Sequence, residues 1–159
     1  ISRMSPALGL LIGEAIRTIA GSLVLIAVGY IAGFRFETGI VGFLGFLGIV
    51  VCASLSICLP YLVLGFAVGK MEPVQAIGNL VYFPLLLVST LFVPAQAYPE
   101  WMRPIVENQP ISRIGEALRA ASTVGIEHTP STVLIALAWC AGLIAVFAAL
   151  VPRVFGKAG

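Results

Sequence analysis

Residues 38–69, TGIVGFLGFLGIVVCASLSICLPYLVLGFAVG, form the longest uncharged stretch of the chain. A helix rises about 1.5 Å per residue, so about 20 apolar residues cross the hydrocarbon core of a bilayer. The stretch is longer than that, and its excess length predicts a tilted or kinked transmembrane helix. Pro60 supplies a cause for a kink, because its ring removes a backbone donor and clashes with the preceding turn.

The whole chain has the same apolar character. Of its 159 residues, 60% are hydrophobic and 10% are charged, with a net charge of +2. A soluble domain carries about 25% charged residues. The composition therefore excludes an ordinary water-soluble globule. It also excludes a disordered chain, because such chains are polar and highly charged, and a nucleic-acid-binding protein, because such proteins need a larger basic surface. A lipid bilayer is the predicted solvent.

Charged residues divide the chain into four uncharged stretches, each long enough for one crossing. The predicted spans are residues 18–34, 40–68, 74–94 and 131–152. Residues 1–17 are expected to form a cytoplasmic amphipathic segment, and residues 95–130 an outer loop with two short helices. The predicted fold class is thus an all-α, polytopic membrane helix bundle with four transmembrane helices, and residues 1–159 form a single domain.

The orientation follows from Lys and Arg, which are enriched in cytoplasmic loops. With the C-terminus inside, five of these residues lie on the inner side and four on the outer side. The inner ones are Arg3, Arg17, Lys70, Arg153 and Lys157. The sequence therefore favours a cytoplasmic C-terminus by a margin of one residue.

The outer loop is expected to contain helices over residues 99–106 and 111–121. In the second helix, apolar residues recur at helical spacing and form one face. These residues are Ile111, Ile114, Leu118 and Ala121. Tyr98 and Trp101 are expected to anchor the loop at the headgroup level of the outer leaflet.

The sequence contains no pattern typical of a catalytic or metal site. His128 is the single histidine, and no zinc-protease, nucleophile-elbow or phosphate-loop motif occurs. The three cysteines lie inside apolar stretches without metal-ligand spacing. The chain is therefore expected to be no enzyme and to bind no metal or cofactor. A membrane enzyme such as a lipid-modifying transferase is disfavoured, because the predicted spans lack acidic residues and histidine.

Glycines indicate where helices approach each other closely, since small residues allow tight packing in lipid. Two GxxxG pairs supply the candidate packing residues Gly29, Gly33, Gly65 and Gly69. These pairs are consistent with an interface to another subunit and with packing inside the chain.

Two groups of polar residues are the other candidates for function. The third predicted span and its end contain Asn79, Pro84, Ser89 and Thr90. A polar patch beside a kink either lines a pathway or is a satisfied packing feature. Glu14 and Arg17 are three residues apart and can form a pair on one helix face. They are either charges at the membrane surface or part of a cytoplasmic helix that contacts a soluble partner.

The most specific stretch of the sequence is residues 84–94, PLLLVSTLFVP, followed by PEW at 99–101, NQP at 108–110 and Arg119. This stretch and the order of the predicted elements resemble the membrane subunit of a type-two ABC exporter of the daunorubicin type. The family pattern usually has glycine where this sequence has Thr90. The resemblance covers nearly the whole chain. Family members have six spans, so the chain is expected to be a C-terminal portion with two spans upstream of Ile1.

The resemblance implies a permease subunit of an ATP-driven exporter that moves an amphipathic drug, lipid or glycolipid out of the cell. ATP and Mg²⁺ would be bound by a separate ATPase subunit, and a second membrane subunit, identical or different, would complete the pathway. The location would be a bacterial plasma membrane. The alternative is a structural or assembly subunit without its own pathway.

The resemblance also implies roles for particular residues. Glu14 and Arg17 would couple the membrane subunit to its ATPase. The pathway and its outer gate would include Asn79, Pro84, Ser89, Thr90, Phe92, Pro94 and Trp101.

Overall fold

The computed structural model describes residues 5–68, 71–123 and 130–157. Within these ranges the chain forms six α-helices and one short 3-10 helix, without a strand. The helices are α1 (Ser5–Ile31), α2 (Gly39–Val68), α3 (Met71–Leu87), α4 (Arg103–Asn108), α5 (Pro110–Ser122) and α6 (Pro130–Lys157), and the 3-10 helix is Ala95–Ala97. The predicted all-α membrane helix bundle is confirmed.

Three helices of the described part are long and apolar enough to cross a membrane. These segments are Leu8–Ile31 in α1, Gly39–Gly65 in α2 and Ser131–Val151 in α6. The fourth predicted span corresponds to α3, whose apolar part, Pro73–Leu87, is shorter. The bundle therefore has three candidate spans of full length and one helix that covers part of the bilayer thickness.

Helix α1 continues through residues 17 and 18, where the sequence predicted the boundary between a cytoplasmic segment and a span. No Gly or Pro interrupts the chain there, so nothing ends the helix. It ends instead around Gly33, where Phe34 N donates to Gly29 O at 2.8 Å and Gly33 N donates to Tyr30 O at 3.2 Å. Gly33 has a φ of 97°, and this Schellman arrangement favours glycine.

Helix α3 ends at Leu87, so residues 88–94 are not the helical end of a span as predicted. Ser89 N and Ser89 Oγ donate to Leu86 O at 3.2 Å and 2.6 Å. These hydrogen bonds close a turn that competes with continued helix. We call residues 88–94 the outer turn.

Helix α2 is the central element and packs against α1, α3, α5 and α6. Ile49 of α2, Ala117 of α5 and Ala136 of α6 form a buried cluster where these three helices meet. Ile114, Leu118 and Ala121 pack against this cluster. The predicted apolar face of α5 thus lies on the bundle, as its helical spacing indicated.

The turn between α1 and α2 lies at the same end of the bundle as the C-terminus of α5. Glu37 N donates to Ser122 O at 3.2 Å, and Thr38 Oγ1 donates to Ala121 O. The two loops that the sequence assigned to the outer side therefore meet each other.

Candidate functional site

The outer turn begins where α3 leaves its last carbonyl groups without helical partners. Such groups need other donors. Gln109 Nε2 donates to Leu85 O at 3.2 Å, and Tyr98 Oη donates to Leu87 O at 3.2 Å. Side chains from the segment after the outer turn thus take the place of the next helical turn.

Helix α5 also holds the outer turn directly. Thr90 N donates to Ser112 Oγ at 3.0 Å. Arg119 Nη2 donates to Thr90 O at 3.2 Å and to Leu91 O at 3.1 Å. A Cβ atom on Gly115 would overlap the side chain of Leu91, so the turn lies tightly on α5. The outer turn and α5 therefore form one packed unit.

A polar cavity of about 250 Å³ lies beside this unit. Its charged lining residues are Glu107, Arg113, Glu116 and Arg119. Arg113 pairs with Glu116 at 3.2 Å. Thr90 Oγ1 and Arg113 Nε are buried without a hydrogen-bond partner in the described part of the chain. Because buried polar groups are normally satisfied, the cavity is suited to water or to a polar group of a ligand.

The structure divides the predicted pathway residues into two groups. Ser89 and Thr90 are buried in the outer turn, with exposures of 0% and 8%. The exposed residues are Asn79, Pro84, Phe92, Pro94 and Trp101. Asn79 and Pro84 lie on α3, and Pro84 O accepts a hydrogen bond from Val88 N at the start of the outer turn at 3.0 Å. Of the seven residues, Thr90 and Pro94 line the polar cavity beside α5. The part of these residues in transport stays a prediction.

Glu14 and Arg17 form the predicted ion pair, with 3.0 Å between Arg17 Nη2 and Glu14 Oε2. Glu14 Oε1 also accepts a hydrogen bond from Ser54 Oγ of α2 at 3.0 Å. Thr18 Oγ1 lies 2.7 Å from the same Ser54 oxygen. The Glu14 side chain is 23% exposed and that of Arg17 is 82% exposed. Glu14 is therefore turned toward α2, whereas Arg17 is exposed at the edge of a cavity of about 400 Å³ that Ser54, Ile57, Cys58 and Tyr61 of α2 also line.

The spans predicted from the sequence contain no charged residue, and the position of this pair differs from that prediction. Glu14 and Arg17 lie inside the candidate span Leu8–Ile31. An ionised residue at such a position needs a partner. Here Arg17 supplies the opposite charge, and Ser54 supplies a hydrogen bond from the neighbouring candidate span.

The predicted packing glycines have unlike surroundings. A Cβ atom on Gly29 would lie 3.6 Å from Phe34 in the following turn, and one on Gly65 would have no atom within 4 Å. Gly33 ends α1, and Gly69 lies outside the described residues. Gly29 and Gly65 therefore approach no other helix closely among the described residues, and an interface to another subunit at the GxxxG pairs stays a prediction.

Close helix approaches occur at other glycines. A Cβ atom on Gly42 of α2 would overlap Ala121 O of α5, and one on Gly78 of α3 would overlap the ring of Tyr61. Gly42 belongs to a series of glycines at every third residue, and this pattern in the sequence indicates close helix packing. Nothing in the sequence marks Gly78.

A second cavity, which we call the lateral cleft, lies between α2, α3, α5 and α6 and has a volume of about 300 Å³. Apolar side chains from all four helices line it, including Ile57, Leu64, Val81, Leu85, Ile111 and Leu143. The sequence did not predict this cleft, because an apolar lining residue has the same sequence signature as a lipid-facing one.

Sequence reasoning also missed the polar side chains that hold the outer turn. Gln109, Ser112 and Arg119 recur on one side of α5 at roughly helical spacing, opposite to the apolar face. That pattern could have identified them from the sequence. Ser54 has no such pattern, since a single serine in an apolar helix is common.

Comparison with known proteins agrees with the resemblance found in the sequence. Residues 1–122 match the family described as ABC-2 type transporter. The "Daunorubicin resistance ABC transporter permease protein" of Streptomyces coeruleorubidus is 30% identical over 149 residues, which cover 92% of this chain and 51% of that protein. The "Probable doxorubicin resistance ABC transporter permease protein" of Mycobacterium tuberculosis is 32% identical over 98% of this chain and 55% of that protein.

The chain thus spans about half the length of the curated relatives it matches. No solved structure gives a significant match. The family match extends over α1 to α5 and so includes both the Glu14 and Arg17 pair and the outer turn. The chain belongs to the ABC-2 type transporter family.

Proposed function

We propose that this chain is part of the membrane subunit of an ATP-driven exporter, which moves an amphipathic drug, lipid or glycolipid out of a bacterial cell. The observation that carries the proposal is the family match over residues 1–122. The relatives named for daunorubicin and doxorubicin resistance support an amphipathic drug as the first substrate to test. ATP and Mg²⁺ bind to a separate ATPase subunit, and a second membrane subunit completes the pathway.

The outer turn and α5 serve as the outer gate in this proposal. Arg119, Ser112 and Gln109 hold the closed turn through hydrogen bonds to its backbone and to the end of α3. Breaking a few such bonds would free the turn without unfolding a helix. Phe92, Pro94 and Trp101 are exposed at this end and contact the outer leaflet or the departing substrate.

Glu14 and Arg17 have separate roles in coupling. Arg17 is exposed and contacts the ATPase subunit or the segment of chain that binds it. In this proposal the cytoplasmic membrane surface lies near Arg17, and the part of α1 before it extends into the cytoplasm. Glu14 is bonded to Ser54, so a displacement of α1 reaches α2, the central helix. The C-terminus is cytoplasmic in this arrangement, at the same side as the ATPase.

The proposal is tested by purifying the full-length protein with a candidate ATPase subunit and placing the complex in liposomes. We expect ATP-dependent movement of daunorubicin, measured through the fluorescence of the drug. This movement should stop when the phosphate-loop lysine of the ATPase is replaced. Failure to co-purify any ATPase under gentle conditions would contradict the proposal. A stable complex that hydrolyses ATP but moves no amphiphile would favour the structural or assembly subunit instead.

A further inference from the structure

The carboxylate of Glu14 lines a cavity of about 400 Å³ between α1 and α2, which we call the inner cavity. Its lining residues are Glu14 and Arg17 of α1 and Ser54, Ile57, Cys58 and Tyr61 of α2. Glu14 lies within a candidate span, and ionisable residues in such segments are typical of paths or binding sites for ligands. The chemistry of an occupant can therefore be inferred from Glu14 and the walls around it.

The two oxygens of the Glu14 carboxylate are engaged unequally. Oε1 accepts a hydrogen bond from Ser54 Oγ at 3.0 Å and lies 3.4 Å from Thr18 Oγ1. Oε2 lies 3.0 Å from Arg17 Nη2 and has no other donor among the described residues. A carboxylate oxygen has two acceptor positions. Oε2 can therefore accept a hydrogen bond from a ligand while Ser54 keeps the carboxylate in place.

The exposure of the two charged side chains indicates the charge of the occupant. Glu14 is 23% exposed and Arg17 is 82% exposed, so the carboxylate lies on the α2 side of the cavity and the guanidinium lies at its edge. Arg17 is the single cation among the described lining residues. An ion pair with so exposed a partner is weak. A ligand cation can therefore replace Arg17 at Glu14, whereas an anion would meet the carboxylate.

The rest of the wall favours an organic cation over a metal ion. The described residues contain no group of three acidic, histidine or cysteine side chains that could hold a metal. Ile57 and Cys58 provide apolar surface, and Tyr61 provides an aromatic ring, which attracts an ammonium group. The ring lies closely on Gly78 of α3, so its position is fixed. Ile57 and Tyr61 also line the lateral cleft, so apolar surface continues beyond the inner cavity.

We propose that the inner cavity binds the ammonium group of an amphipathic amine. The ammonium group donates to Glu14 Oε2 in place of Arg17, and the apolar part of the amine lies against Ile57 and Tyr61. Arg17 is then released at the side of the bundle where the ATPase subunit is proposed to bind. The inference rests on the proposed export function and names its substrate class, amphipathic cations taken up from the inner side of the membrane.

The first test measures binding of a fluorescent amine to the purified full-length protein in detergent, without an ATPase. The probe is monodansylcadaverine, and its N-acetyl derivative is the neutral counterpart. We expect saturable binding of the amine and about tenfold weaker binding of the neutral compound, because a hydrogen bond to a charged group is lost. Equal affinity for the two compounds would overturn the proposal. This comparison needs no variant and so does not depend on the folding of one.

Glu14→Gln keeps the size of the side chain and removes its charge. Its affinity for the amine should fall about tenfold, to that of the neutral compound. The matched control is Glu100→Gln, the same change at an exposed position outside the inner cavity, which should leave the affinity unchanged. Equal loss of affinity in both variants, or in neither, would contradict a site at Glu14.

Arg17→Gln distinguishes a site for cations from a site for anions. It removes the guanidinium that competes with the ligand, so the amine should bind up to about fivefold more tightly. Equal or weaker binding of the amine would contradict the replacement of Arg17 by the ligand.

Transport separates this inference from the proposed export function. In liposomes that contain the full-length protein and its ATPase partner, we expect ATP-dependent movement of the amine and much less of its N-acetyl derivative. Equal movement of both compounds would overturn the cation site, and the export function would stand. Amine binding that depends on Glu14, without ATP-dependent movement of either compound, would support the site and contradict the export function.

Discussion

Two adjacent carbonyl groups in the outer turn, those of Thr90 and Leu91, accept hydrogen bonds from one guanidinium nitrogen of Arg119. The planar group of arginine presents several donors in a fixed arrangement, which suits two neighbouring acceptors. It also places a positive charge near the C-terminal end of α3, where the helix dipole is negative. Arg119 is therefore the side chain with the largest expected effect on the closed outer turn.

We expect Arg119→Gln to open the outer turn. Hydrogen bonds from a charged group contribute about 1.5 to 3 kcal/mol, so the population of the open turn should rise by about tenfold or more. The measurement is the labelling rate of Thr90→Cys by a membrane-impermeant maleimide, in a chain whose natural cysteines are replaced by alanine. Thr90 is a suitable probe, because it is 8% exposed and its hydroxyl has no partner in the described chain.

The control for this experiment is Arg119→Lys. It keeps the charge and a donor, and should raise the labelling rate less than glutamine does. If Thr90→Cys reacts equally fast with and without the Arg119→Gln substitution, Arg119 does not hold the turn.

Charge reversal is expected to affect stability differently at Glu14 and at Arg17. Arg17→Glu should lower thermal stability, because Glu14 then loses its opposite charge but keeps its hydrogen bond from Ser54. Glu14→Lys should lower it further, because Ser54 and Thr18 then also lose their shared acceptor. In liposomes that contain the ATPase partner, both variants are expected to reduce transport per ATP hydrolysed. Unchanged coupling ratios in both would exclude the coupling role.

At the level of single elements, α2 shows how one repeated residue can have different environments along a helix. Gly42, Gly45 and Gly48 recur at every third position. A Cβ atom on Gly42 would overlap Ala121 O of α5, whereas Cβ atoms on Gly45 and Gly48 would have no atom within 4 Å. The repeat thus contains one close contact and two free positions.

This difference predicts opposite effects for the same substitution. Gly42→Ala should destabilise the full-length protein by about 1 to 3 kcal/mol, because the added Cβ would overlap both Thr38 Oγ1 and Ala121 O, so the Thr38 side chain and α5 must both move. Gly45→Ala should stabilise it by up to about 1 kcal/mol, since alanine is the better helix former. Thermal unfolding in detergent measures both. A similar shift for the two variants would show that α5 does not contact α2 at Gly42.

At the scale of the whole molecule, sequence patterns predicted the elements whose cause is local. The bounds of α2, Gly39–Val68, agree with the predicted span 40–68, because a long apolar stretch between charges and glycines is sufficient to define such a helix. The apolar face of α5 was predicted from its spacing for the same reason.

The features that sequence could not predict depend on residues distant in the chain. Helix α3 ends at Leu87 in a local turn at Ser89, and this turn is held by hydrogen bonds to Gln109, Ser112 and Arg119, over 20 residues later. Glu14 is accommodated inside a candidate span because Ser54 lies opposite to it. No local pattern contains such pairings.

The orientation of the bundle is the last property that the charge pattern predicts. The structure joins the α1–α2 turn to the end of α5 through Glu37, Thr38, Ala121 and Ser122. These segments must therefore lie on one side of the membrane, whichever side that is. The five inner and four outer Lys and Arg residues favour the outer side for them.

We expect a membrane-impermeant thiol reagent to label Glu37→Cys in intact cells and to label Ala158→Cys only after the membrane is opened. The natural cysteines are replaced by alanine in both variants. The reverse pattern would invert the bundle, and the outer turn and its Arg119 contacts would then form an inner gate. Labelling of both sites in intact cells would mean that α6 does not cross the membrane, since the buried cluster of Ile49, Ala117 and Ala136 packs the first part of α6 against α5, whose end is bonded to the α1–α2 turn.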